Sequence, residues 1–211
     1  MAKLKFKLND ENVNEGVVSN TLKSIAKVAG ITLLSPLIGK NSEQLYNKLV
    51  SDISKKNLYK LENDVKKETE NNINGIISLV SSVKLLGDVG FNKEPLSSEE
   101  VDLVSEVIRD FYSEQEKKYK VEAKRAIDHK TKPPMDYFNR TQVENNFKRE
   151  LTKKVNTAYK QDKGTYGKLN KWIKEGTPMF STNLPRQIYT GISHLVPRWA
   201  AIEQANATLN K

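Results

Sequence analysis

The sequence predicts a mainly α protein: a helical bundle of six or seven helices with an N-terminal strand-like arm and an extended, Pro-broken C-terminal segment. Three observations carry this. Hydrophobic residues are 37% of the 211, enough for helices with one buried stripe but too few for a sheet whose central strands are continuous apolar runs. Apolar side chains recur at spacings of three and four along most of the chain. Pro or Gly stands at the ends of most of these periodic stretches, where helices stop.

Each element follows in order. Residues 1–12 form the arm, in which Leu4, Phe6 and Leu8 alternate with Lys3, Lys5 and Lys7. Alternation of period two is the signal of a half-buried strand, and a lone strand needs a partner for its backbone groups. That partner is either the weak strand candidate Gln187–Ile192 or another chain, which makes Leu4, Phe6 and Leu8 candidate oligomer contacts. Residues 13–131 form a helical core. Val18, Leu22, Ile25 and Val28 share a face until Pro36 and Gly39 intervene. Asn41 and Gln44 have capping spacing ahead of Leu45, Leu49, Ile53, Leu58, Leu61 and Val65. A second apolar stretch runs from Ile73 to Leu86, and a loop follows to Pro95. Ser97 with Glu100 makes a capping box before Val104, Ile108 and Phe111, in a helix that continues to Ala126.

Lys132-Pro133-Pro134 is the sharpest break in the chain. Residues 132–176 continue the same domain as a basic helical segment. There Thr141 and Glu144 form a second capping box before Val143, Phe147, Leu151, Val155 and Ala158. Leu169 and Trp172 lie on a short helix ended by Gly176-Thr177-Pro178. Residues 177–211 read as an extended tail broken by Pro185 and Pro197, with a short final helix from Trp199. Leu22, Ile25, Leu49, Ile53, Ile77, Val80, Val104, Ile108, Phe111, Phe147, Leu151 and Val155 are the expected core.

The formal net charge is +9, from 35 basic and 26 acidic residues. Its position is more informative than its size. Between Lys117 and Lys174 stand 17 Lys+Arg against 6 Asp+Glu, and the rest of the chain is close to neutral. Tyr119, Tyr137, Phe138, Phe147, Tyr159, Tyr166 and Trp172 are interleaved with these charges. Cations neutralise phosphates with release of counterions, and aromatic faces stack on unpaired bases. The candidate nucleic-acid-binding residues are therefore Lys117, Lys118, Lys124, Arg125, Arg140, Lys148, Arg149, Lys153, Lys154, Lys160, Lys168, Lys171 and Trp172. No helix-turn-helix turn, zinc-finger spacing or RNP box accompanies them, so the expected contact is to backbone without base readout.

Catalytic and cofactor chemistry finds little support. With no Cys, disulfides, thiolate catalysis and Cys-based metal sites are excluded. Two His do not make a His-rich metal site, and no cofactor or metal is expected. His129 and His194 lack a nucleophile at a known spacing. The row Glu99, Asp102, Glu106 and Asp110 begins at a helix N-terminus, where acids favour the macrodipole, and reads as a solvent face. Gly164-Thr165-Tyr166-Gly167-Lys168 lacks the spacing of a phosphate loop and reads as a turn.

The expected function is a non-catalytic assembly or architectural subunit whose basic segment meets nucleic acid or another polyanion. Its expected partners also include further copies or other protein subunits. The excess of Lys over Arg, 29 to 6, together with 20 Asn, suits an AT-rich genome and a component of a phage or viral particle. With no signal-peptide pattern and no spanning apolar run, the expected location is the cytoplasm or such a particle. Two alternatives stand beside this: a membrane-acting helical protein using the apolar segments 17–39 and 73–86, and an adaptor for an acidic protein partner.

Overall fold

Helix follows helix through the computed structural model, which describes residues 42–52, 55–81 and 95–209. The elements are α1 (Ser42–Ser51), α2 (Lys55–Ser81), α3 (Ser98–Asp128), α4 (Arg140–Gln161), α5 (Gly167–Lys174), a π-helical turn (Met179–Asn183) and α6 (Leu184–Leu209). All of them belong to one compact unit. The arm, with Leu4, Phe6 and Leu8, lies outside the described residues, as does the apolar segment 17–39.

The two long helices at the centre of the expectation form as the sequence indicates. At the start of α3 the Ser97 hydroxyl accepts from Glu100 N at 3.2 Å, and a Glu100 carboxylate oxygen accepts from Ser97 N at 3.0 Å. That is the reciprocal capping box. The start of α4 differs. Its N-cap is Asn139, whose side chain accepts from Gln142 N at 3.1 Å, so the helix begins before Thr141, and Glu144 instead receives Arg140 Nε at 2.8 Å. Asn139 and Gln142 stand at the same spacing as Thr141 and Glu144, and Asn139 is the residue whose side chain caps.

The first helices are partitioned differently from the expectation. A turn at Asp52 separates α1 from α2, and α2 then runs unbroken for 27 residues into the apolar stretch at Ile73. The polar run between Val65 and Ile73 conceals a continuous buried face, because Val65, Asn72, Ile73, Ile76, Leu79 and Val80 are all buried. Thr69 sits on that face with its hydroxyl bonded to Val65 O at 2.8 Å, which satisfies it within the helix.

The C-terminal region requires the largest correction. Residues 184–209 are not an extended tail; they are α6, a 26-residue helix, and Gln187–Ile192 is part of it rather than a strand. Pro185 lies in the first turn of α6, directly after the π-helical turn that leads into it. Pro197 lies inside the helix, buried among its neighbours. In α6 the only acidic or basic side chains are Arg186, His194, Arg198 and Glu203. A helix apolar on nearly all sides belongs in the interior, and α6 packs against α1, α2, α3 and α4 together. Gly191, Ser193, Ala200, Ala201 and Ala205 are small and buried, which lets the surrounding helices approach.

Cross-helix contacts set the directions. Arg109 of α3 meets Glu70 of α2 at 2.7 Å, and Glu106 of α3 meets Lys154 of α4 at the same distance. The Tyr119 ring reaches Phe138, just before α4, and Trp199 of α6. So α3 runs antiparallel to α4 and alongside α6. Of the expected core, Val80, Val104, Ile108, Phe111, Phe147, Leu151 and Val155 are buried, and Leu49 and Ile77 pack half-buried against them. Leu22, Ile25 and the Ile53 side chain lie outside the described residues.

Candidate polyanion interface

The basic segment is distributed over two helices at opposite ends of their shared contact. Because α3 and α4 are antiparallel, the basic end of α3 lies beside the start of α4, away from the cations near the end of α4. Lys117, Lys118, Lys124 and Arg125 are exposed on α3. Lys118 is held by Glu114 at 2.6 Å, and Arg125 stands 3.9 Å from Glu122. Lys117 and Lys124 have no hydrogen-bonded or ion-paired partner among the described residues.

The outer face of α4 carries the other group. Val143, Phe147, Leu151, Val155 and Ala158 turn inward, so Asn145, Arg149, Lys153 and Lys160 face solvent. The two acids of this helix, Glu144 and Glu150, are half-buried off that line and accept from Arg140 and from Arg149, the latter at 3.5 Å. Lys148 flanks the line, and it shares with Lys153 and Lys160 the lack of an ion-pair partner among the described residues. From Arg149 to Lys160 the line is about 16 Å long at 1.5 Å per residue.

Other candidate cations are committed elsewhere. Lys154 donates to Glu106 at 2.7 Å, and that hydrogen bond raises its ammonium above the usual lysine range. Lys168 donates to Pro95 O at 2.8 Å, tying α5 to the start of α3. Lys171 stands 3.8 Å from Glu175.

Trp172 requires a correction. It is 5% exposed and packs against Phe180, with ring centroids 6.4 Å apart, so its indole has no face open to a base. The other interleaved aromatics serve packing as well. Tyr119 and Phe147 are fully buried. Tyr119 forms a cluster with Tyr137, Phe138 and Trp199, and its hydroxyl donates to Pro134 O at 3.1 Å. The Tyr159 ring carries the Lys174 ammonium at 5.5 Å.

The remaining polar candidates have structural partners. His129 caps α3, with Nδ1 2.7 Å from Arg125 O. His194 Nε2 lies 3.1 Å from Glu68 Oε1, and Arg198 Nε donates to Glu68 Oε2 at 2.8 Å, which links α6 to α2. Asp162 organises the turn after α4: its carboxylate accepts from the Thr165 hydroxyl at 2.6 Å and from the backbone of Gly164 and Thr165, and these bonds hold it below the usual carboxylate range.

Two features were not legible beforehand. Glu100, besides closing its capping box, accepts from Leu169 N of α5 at 2.6 Å while only 1% exposed. A cleft of about 480 Å³ lies between α2, α3 and α6, floored by Val65, Ile73, Tyr112 and Ile202 and bordered by the pairs Glu70–Arg109 and Glu116–Lys120. Its rim carries as many bases as acids. No group of three metal-ligating side chains occurs among the described residues, and no helix among them is long and apolar enough to cross a membrane. Comparisons of the chain with known protein families, curated proteins and solved structures find no match.

Proposed function

We propose that this protein is a non-catalytic architectural subunit that lays the outer face of α4 on a nucleic acid backbone. The observation that carries the reading is the acid-free line through Arg149, Lys153 and Lys160, with Lys148 beside it. Lys148, Lys153 and Lys160 have no ion-pair partner among the described residues and Arg149 meets only Glu150, at 3.5 Å, whereas most cations elsewhere in the basic segment are engaged within the fold. Burial of Trp172 and Tyr119 removes the stacking platform that single-strand recognition uses, so binding follows phosphate density and is indifferent to base sequence. A component of a phage or viral particle is the setting in which such a subunit would act. The membrane-acting alternative is weaker for the second apolar segment, since Ile73, Ile76, Leu79 and Val80 already face the core.

The test is titration of a labelled duplex at several salt concentrations. Affinity should fall with salt at a slope of roughly −0.9 per phosphate neutralised. Replacing Lys148, Arg149, Lys153 and Lys160 by Gln should flatten that slope contact by contact for every base sequence. Equal binding by the wild type and this variant at about 0.15 M salt would overturn the assignment. An acidic protein would then be the better partner for the face.

A further inference from the structure

We propose that the solvent face of α3 is a self-association surface, on which two copies of this chain meet antiparallel about a two-fold axis near Ser113. Asp102, Glu106, Asp110, Ser113, Lys117 and Lys124 are all exposed and follow one another along the outer side of the helix at helical spacings. The first half of this line is acidic and the second half basic. Glu106 is engaged by Lys154. The other four charges, Asp102, Asp110, Lys117 and Lys124, make no hydrogen bond or close ion pair among the described residues; Asp110 acts on Lys154 and Lys124 on Glu203 only at longer range.

Their positions are symmetric. Asp110 and Lys117 stand on either side of Ser113 and Glu114, and Asp102 and Lys124 stand equally far from Ser113 in opposite directions. In a two-fold contact, residue i meets residue j of the copy and j meets i. An antiparallel alignment therefore sets Asp110 against Lys117 and Asp102 against Lys124, and the symmetry makes each pair twice. A parallel alignment sets like charge against like and is disfavoured. Ser113 at the crossing point is small enough for the helices to approach. The line carries no apolar seam, so the association is electrostatic, modest in strength and screened by salt. This inference does not rest on the polyanion reading, which uses different residues on α4.

Sedimentation of the full chain in the absence of nucleic acid tests it, with variants that swap the sign of half the line. The wild type should self-associate at about 0.02 M salt and dissociate at about 0.5 M. The Lys117→Glu/Lys124→Glu and Asp102→Lys/Asp110→Lys variants should each lose at least tenfold in association constant. Mixed in equal amounts, the two should form the heterodimer that neither can form with itself, which also demonstrates that both are folded. The four-fold swap has the net charge of the wild type and should dimerise as it does. A wild type that stays monomeric at low salt, half-swaps that associate unchanged, or a mixture that stays monomeric would each overturn the proposal.

Discussion

At the residue scale, a few polar side chains hold positions that apolar packing cannot. Glu100 is a buried carboxylate whose oxygens are taken up by the N–H groups of Ser97 and Leu169. Changing it to Gln turns an NH2 toward a donor, and leaving a buried N–H unpaired should cost about 1–3 kcal/mol in a urea melt. A loss below about 0.5 kcal/mol would mean that α5 is held by other contacts. Lys130 follows the end of α3 with φ of 56°, and its N–H and that of Thr131 return to Ile127 O and Ala126 O. This closing turn normally uses Gly. Lys130→Gly should therefore raise stability by about 0.5–1 kcal/mol, and no gain would show that the left-handed turn costs little here. Glu203 carries a pH signature. Burial raises its carboxyl above the usual range against the opposing pull of Lys120 and Lys124. Between the ordinary glutamate range and the raised value, the folded state holds the proton more tightly than the unfolded chain. Its contribution to stability is therefore greatest at low pH and is lost as pH rises through the raised value. Glu203→Gln should flatten the thermal midpoint across that window and raise it near neutrality, where an unchanged profile would refute the effect.

At the element scale, α6 distinguishes a tail from a keystone. Ile192 is fully buried in the middle of it. Its replacement by Ala should cost about 2–5 kcal/mol, as truncation of a core aliphatic does, whereas an extended surface segment would register less than about 0.5 kcal/mol. Trp172 on α5 follows the same reasoning. Its truncation to Ala should cost about 3–5 kcal/mol in stability and leave the salt slope of nucleic acid binding unchanged. Intact stability with weakened binding would instead return the indole to the surface. The end of α5 illustrates how local chemistry confines such an element. Gly176 takes φ of +64°, and the N–H groups of Gly176 and Thr177 bond back to Ile173 O and Trp172 O, closing the helix just before Pro178.

On the scale of the whole molecule, charge is arranged in separate patches. The outward line of α4 is basic throughout, while that of α3 changes sign midway. Such faces govern what a protein approaches and in which orientation, more than how firmly it folds. The four Gln substitutions on α4 should accordingly shift the unfolding free energy by less than about 0.5 kcal/mol, measured in the same urea melt. A larger loss would place those side chains in the packing and make any loss of nucleic acid binding a consequence of damage to the fold.

The sequence by itself determined the helical class, the Ser97–Glu100 cap, the inward face of α4 and the concentration of charge between Lys117 and Lys174. Each depends on residues a turn or so apart, or on composition, and such local terms are written in the chain. Other features required neighbours distant in sequence. The polar run Lys66–Asn72 interrupts hydrophobicity without interrupting the helix, because the buried stripe needs only one side of it. Two prolines and few charges made 184–209 resemble a tail. Surrounded by α1 to α4, the same residues form the central helix, since burial on all sides compensates for the backbone bond that Pro197 cannot make. Tertiary structure alone also decided which cations are free. Lys154 and Lys153 are adjacent in sequence, yet only Lys154 faces Glu106 across the α3–α4 contact. The number of lysines could be counted from the chain, but which of them meets a carboxylate first depends on how the helices cross.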